Sequence, residues 1–299
     1  MISSSSAAGR HSTRLAASMA VGTAILVVEL IAGLVSNSLA LLADAAHLFA
    51  DVSGIGLSLV AVWLAARPRT VRRSFGLYRL EIVAAAANAI LLLALTIVLV
   101  LEAVDRFLAP PAVEPSIVIV VAIVALGANL VSLRLLAPGR HESLTIRGAY
   151  LEAAGDLLGA TAVLVSGLLV LGFGWRQADA VASVVVAALI VPRTVALLRD
   201  SIDVLLEATP KGIDLEQVRG HILAARGVAD VHDLHAWTIT SGMNVVSAHV
   251  VLAPDGQPGD VLDELGRCLA DDFDVNHSTF QLETPDHVRW EARSAQPQH

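Results

Sequence analysis

The segment Leu39–Ala65 reads LALLADAAHLFADVSGIGLSLVAVWLA, and its pattern decides the class of this protein. It is apolar and long enough to cross a hydrocarbon core of roughly 30 Å, which needs about 20 helical residues. Yet it carries Asp44, His47 and Asp51. The spacing i, i+3, i+7 puts all three near one helical face. Ionisable groups inside a membrane span are costly and mark functional sites.

Working outward, five more stretches qualify as spans: Leu15–Val35, Leu80–Leu108, Ser116–Leu136, Ala149–Phe173 and Ala178–Leu198. Polar or turn-forming segments separate them, among them Ser36-Asn37-Ser38 and Ala109-Pro110-Pro111. The whole chain is 55% hydrophobic and only 16% charged, against about 25% charged in ordinary soluble domains. From Ser201 onward the balance reverses, with 16 acidic against 6 basic residues. The net charge of −8 therefore belongs to the last third, and nucleic acid is excluded as a partner. The single cysteine, Cys268, excludes an intramolecular disulfide framework and is expected as a small core residue on an amphipathic helix.

Arginine placement sets the orientation. Twelve arginines (Arg10, Arg14, Arg67, Arg69, Arg72, Arg73, Arg79, Arg134, Arg140, Arg147, Arg193, Arg199) fall on one side, and only Arg106 and Arg176 on the other. Both termini are thus expected in the cytoplasm of a multi-pass protein of the cell (inner or plasma) membrane. Residues 1–14 lack a signal-peptide pattern and read as a disordered cytoplasmic tail. Residues 15–200 form an all-α bundle of six transmembrane helices. Residues 201–290 form a cytoplasmic α+β domain, and 291–299 a second disordered tail. Within the soluble domain, Asp214–Arg226 and Asp260–Asp272 read as helices. Asp230–Thr240, Met243–Leu252 and Asn276–Glu283 read as strands. The α-β-β-α-β order with a mainly antiparallel sheet is a ferredoxin-like arrangement.

The fifth span adds Glu152 and Asp156 at i and i+4. Two helices with paired donors one turn apart supply four ligands to one ion: His47, Asp51, Glu152 and Asp156. Imidazole with carboxylates suits tetrahedral Zn²⁺ and also Cd²⁺, Co²⁺ or Ni²⁺. No thiolate is available in the membrane for Cu(I). Asp44 lies nearer the outer mouth, where ligation and a helix-packing or ion-exit role are both open. Asn129 in the fourth span either orients a ligand or hydrogen-bonds between helices. Asp179 is expected to favour the N-terminus of the sixth helix. Arg79 and Glu81 are expected to form an inter-helix salt bridge. In the soluble domain, His232, His249 and Glu283 form a plausible cross-strand metal site, and His235 with His277 a second. In a regular strand, His232 and His235 face opposite sides. Trp237 and Phe280 read as core.

The segment Ser38–His47, ending at Asp51, resembles the second helix of cation diffusion facilitators, and Arg147–Asp156 resembles their fifth. Arg73–Glu81 is similar to their charged loop entering the third helix. Val231–Trp237 and His277–Glu283 look like their C-terminal domain. The resemblance implies a homodimeric efflux transporter that exchanges cytoplasmic Zn²⁺ or a related ion for protons, and it favours His232, His249 and Glu283 as a second metal site. The better-known zinc members carry His where this chain has Glu152, so metal identity is the open point. The histidine-rich loop of many zinc members is absent here, with only His141 between the fourth and fifth spans.

Charge suggests the mechanism. With neutral His47, three dehydrated carboxylates give an untenable charge of −3, so the empty site takes up protons. An incoming divalent ion displaces them. No Gly-rich P-loop is present, and the one lysine, Lys211, lies outside the membrane. The chain lacks a His-Glu-x-x-His motif, so it is not expected to be an enzyme. The runner-up function is a membrane-anchored metal sensor whose soluble domain is the working part. A passive channel would need a continuous polar pore. Metal-driven dimerisation of the acidic domain is expected, since two such domains repel until cations neutralise them.

Overall fold

A computed structural model describes residues 12–65, 67–68, 70–137, 144–275 and 277–287. The expected tail at 291–299, the turn holding Arg140 and His141, and residues 1–11 lie outside the described residues. Ser12–Arg14, expected in the N-terminal tail, are already helical.

Six long helices come first: α1 (Ser12–Ser36), α2 (Leu39–Ala65), α3 (Leu80–Leu108), α4 (Pro115–Leu136), α5 (Leu144–Phe173) and α6 (Gln177–Leu205). Among the described residues, α1, α3, α4, α5 and α6 each contain a segment long and apolar enough to cross a membrane. Together with α2 they form the expected six-helix bundle. The last helix exceeds its expected end at Leu198 by seven residues, because Arg199–Leu205 keeps helical character after the apolar run stops.

The bundle is tied at the start of α2. The Ser38 hydroxyl donates to Asp179 Oδ1 at 2.5 Å, and the Leu39 amide donates to Asp179 Oδ2 at 2.6 Å. Ser38 in turn accepts from the Leu41 amide at 3.2 Å. Helix starts leave several amides without intrahelical partners. Here the acid that caps them comes from α6, and it is only 3% exposed. Asp179 lies in the first turn of α6, as expected, and also caps its neighbour α2. Lower in the bundle, Asn88 of α3 donates to the Ala50 carbonyl at 2.9 Å. Gly167 of α5 lets the chain approach Ile119 of α4, where a Cβ would meet the isoleucine side chain at 2.9 Å.

The second compact unit holds α7 (Leu215–Ala224), β1 (Val228–Thr240), β2 (Met243–Leu252), α8 (Pro258–Phe273) and β3 (His277–Glu283). Asp214 caps α7 by accepting from the Glu216 amide at 2.9 Å. Val261, Leu265 and Leu269, spaced by four, bury one face of α8 against Val231, Val246 and Val250. Gly242 at φ 74° makes the tight turn between β1 and β2. The sheet order is β1-β2-β3, with β1 and β2 antiparallel but β2 and β3 parallel. The mainly antiparallel sheet expected is therefore half parallel, because α8 carries the chain back along the sheet as a crossover.

In the same unit Arg79 pairs with Glu207 at 2.6 Å, while Glu81 accepts from Thr240 and Ser241 at 2.5 and 3.0 Å. Arg79 and Glu81 thus do not pair with each other. Lys211 binds Asp200.

Asp179→Ala strands two buried donors, a loss of about 2 kcal/mol or more. Its thermal unfolding midpoint in detergent is expected to fall clearly below the native one. Ser38→Ala, which leaves the Leu39 amide capped, is expected to fall less; equal midpoints for all three proteins would contradict the cap.

Candidate metal centre

Helices α2 and α5 bring His47, Asp51 and Asp156 together. His47 Nε2 lies 3.3 Å from Asp156 Oδ1 and 3.6 Å from Asp51 Oδ2. All three donor atoms fall within 4.8 Å of one another. His47 Nδ1, Asp51 Oδ2 and Asp156 Oδ1 are buried and make no hydrogen bond among the described residues. Buried polar atoms normally find partners, so two carboxylate oxygens that converge on His47 Nε2 without a hydrogen bond are available to another ligand. An ion with Zn–N and Zn–O bonds of about 2.0–2.1 Å at tetrahedral angles holds its ligands roughly 3.3 Å apart. These residues fit such an ion.

Glu152 is not in that trio. Its Oε1 accepts from the Arg193 guanidinium of α6 at 2.6 Å. It nevertheless lines one cavity of about 300 Å³ with Asp51, Asp156 and Asn129. Arginine matches carboxylate geometry closely, so Arg193 holds Glu152 by one oxygen away from the trio. The expected quartet is thus a trio plus a tethered fourth. Asn129 is 7% exposed and faces the cavity, consistent with either of its expected roles.

Asp44 is buried and outside the trio. It packs on Gly159 of α5, where a Cβ would lie 3.0 Å from Asp44 Oδ1. Glu29 of α1 was not singled out from the sequence. It is 1% exposed, and its Oε2 has no hydrogen bond among the described residues. The signal was available: an acid in mid-span is expensive wherever it occurs.

On the sheet, His232 Nε2 lies 3.1 Å from Glu283 Oε2 and His249 Nδ1 lies 2.8 Å from Glu283 Oε1. This is the cross-strand group expected. A bulge at Asp233, with φ 50°, shifts the register so that His232 pairs with His249 and His235 with Ser247. His232 and His235 therefore share one face, against the expectation for a regular strand. Asp233, not foreseen, accepts from His235 at 2.9 Å and lies 3.7 Å from His249. His277 does not join His235; its ring packs edge-on to Phe75 at 5.8 Å. Phe280 packs on the core as expected, whereas Trp237 is only part-buried and lines a cavity with Arg72–Arg79.

Charge on this face is tuned locally. The hydrogen bond from His235, with the charges of His235 and His249 beside it, holds the Asp233 carboxyl below its usual range. Burial pushes Glu283 up, but donation from Gln281 and His232, with His249 near, leaves it below its usual range.

Over this geometry the sequence matches two known domains in order. Residues 15–206 match the cation efflux transmembrane domain, and residues 210–285 the cytoplasmic domain of cation efflux proteins. The chain belongs to the cation diffusion facilitator family. Similar relatives include the metal cation efflux system protein CzcD of Cupriavidus metallidurans, 40% identical over 92% of this chain and 87% of its own length. The cadmium, cobalt and zinc/H(+)-K(+) antiporter of Bacillus subtilis is 34% identical over 92% and 90%. The zinc transporter ZitB of Escherichia coli is 35% identical over 91% and 88%. This facilitator is a multi-pass membrane transporter and not an enzyme.

Gly159→Val would force methyl groups onto the Asp44 carboxylate, an overpacking loss of about 1–3 kcal/mol. A cation diffusion facilitator with that change should unfold at lower temperature in detergent. Gly155→Ala, whose Cβ meets nothing within 4 Å, should match or exceed the native protein.

Proposed function

We propose that the chain exports divalent metal cations from the cytoplasm in exchange for protons, by alternating access of the site at His47, Asp51 and Asp156. Zn²⁺ is the first candidate cargo, with Cd²⁺, Co²⁺ and Ni²⁺ behind it. The observation that carries this reading is the convergence of three donors from α2 and α5 at metal-ligand separations, two of them carboxylate oxygens with no hydrogen bond among the described residues. A ligand set of one imidazole and carboxylates holds protons when empty and releases them on metal entry, so both compete for one place. The names of the relatives support the reading: one is called a zinc transporter and one an antiporter of cadmium, cobalt and zinc against H(+) and K(+).

Glu152 is the fourth ligand in this reading, held by Arg193 until metal arrives. Arg193 then acts as a tethered cation that satisfies the acid in the empty state. Asp44 and Asn129 line the approach and do not bind the ion. The arginine distribution supports both termini, and with them the C-terminal domain, on the cytoplasmic side. That domain carries a separate site at His232, His249 and Glu283, with Asp233 beside it, and loading it favours a homodimer.

Three measurements test this. In proteoliposomes, Asp156→Ala should cut metal-driven proton counterflow by at least about 100-fold; undiminished counterflow sinks the shared-site mechanism, and absence of any flux in the native protein favours the sensor reading. Arg193→Gln should lower the metal concentration for half-maximal uptake by freeing Glu152, and Glu152→His should narrow uptake among Zn²⁺, Cd²⁺, Co²⁺ and Mn²⁺ towards Zn²⁺. In cross-linking of the full chain, chelation should weaken contact between C-terminal domains and Glu283→Gln should mimic it; a dimer indifferent to both would refute the metal-linked interface.

A further inference from the structure

The helical layer of the C-terminal unit holds a group that neither site above uses. His221 of α7 places Nδ1 at 3.4 Å from the Cys268 sulfur and 3.3 Å from Asp272 Oδ2. Cys268 Sγ lies 3.6 Å from the same Asp272 oxygen and donates to it. Cys268 and Asp272 share one face of α8 at i and i+4. The cysteine expected in the core lies instead beside the core stripe of Val261, Leu265 and Leu269, and is part-exposed. The His221 ring is set by an edge-on contact with Phe273, its centroid 5.0 Å away.

These separations also match those of a tetrahedral metal site. A tetrahedral ion with Zn–S of about 2.3 Å and Zn–N or Zn–O of about 2.0–2.1 Å holds sulfur 3.5–3.6 Å, roughly, from nitrogen or oxygen, and nitrogen about 3.3 Å from oxygen. All three observed distances lie within about 0.2 Å of those values. Three different donor chemistries from two helices meet at one point, and the part-exposed setting leaves a fourth position for water.

We infer that His221, Cys268 and Asp272 form a thiolate-containing binding site for a soft divalent cation of the Zn²⁺ or Cd²⁺ class. The site lies on the helical side of the sheet, and the His232–His249–Glu283 group lies on the opposite face, so the two cannot share an ion. Its donor set differs too. The other two groups offer only nitrogen and oxygen, whereas a thiolate favours soft ions over Mn²⁺ or Mg²⁺. On binding, the thiol proton passes to solvent and a metal–sulfur bond replaces the hydrogen bond to Asp272.

The chain has one cysteine, so a thiolate-to-metal charge-transfer band reports this site and no other. The full-length protein, stripped with chelator and titrated with Cd²⁺ in detergent, should develop that ultraviolet band and saturate at one thiolate per chain. His221→Gln and Asp272→Asn should each shift the midpoint to at least about tenfold higher Cd²⁺. Asp255→Asn, an exposed change in the turn before α8 and outside all three donor groups, should leave the midpoint unchanged. Absence of the band in the native protein when Cd²⁺ binding is otherwise saturated, or an unchanged midpoint in both His221→Gln and Asp272→Asn, overturns the assignment. The readout is equilibrium binding, so it stands or falls apart from transport.

Discussion

Charge placed inside an apolar bundle is the constraint on which the transmembrane unit depends. Three acids and one imidazole meet among α2, α5 and α6, where water is scarce and each charge needs a partner. One carboxylate, Glu152, is answered by Arg193. The other two face His47 without completing their hydrogen bonds. That imbalance leaves the carboxylates of Asp51 and Asp156 short of hydrogen-bond donors.

Holding such a site requires rigid neighbours. The α2 start is fixed by an acid from α6, and Gly159 admits the Asp44 carboxylate against the α5 backbone. A helix pinned at one end and closely packed in the middle keeps His47 and Asp51 aimed at Asp156. Packing of this kind fixes the separations among the three donors.

The C-terminal unit solves a different problem. Its core is an ordinary layer of valine and leucine under two helices. Its donors lie outside that core on both surfaces: histidines and Glu283 on the bare sheet face, and His221, Cys268 and Asp272 on the helices. The acidic excess of this unit makes each surface repel a like surface.

Hydropathy length and the helical period determined six helices, the soluble α+β domain and the trio of His47, Asp51 and Asp156, because burial in lipid and the 3.6-residue repeat act locally along the chain. The cross-strand group of His232, His249 and Glu283 was also legible, since alternation along a strand is local. Contacts set by how distant elements meet were not. Arg193 looked like one more arginine of the orientation pattern until α6 packed beside α5 and gave it Glu152. The bulge at Asp233 turned His235 to the face of His232, which a regular period of two forbids. Asp179 became the cap of another helix, and Cys268 left the core to stand by His221, because neighbours brought together across 47 to 141 positions of chain have no signature in local sequence.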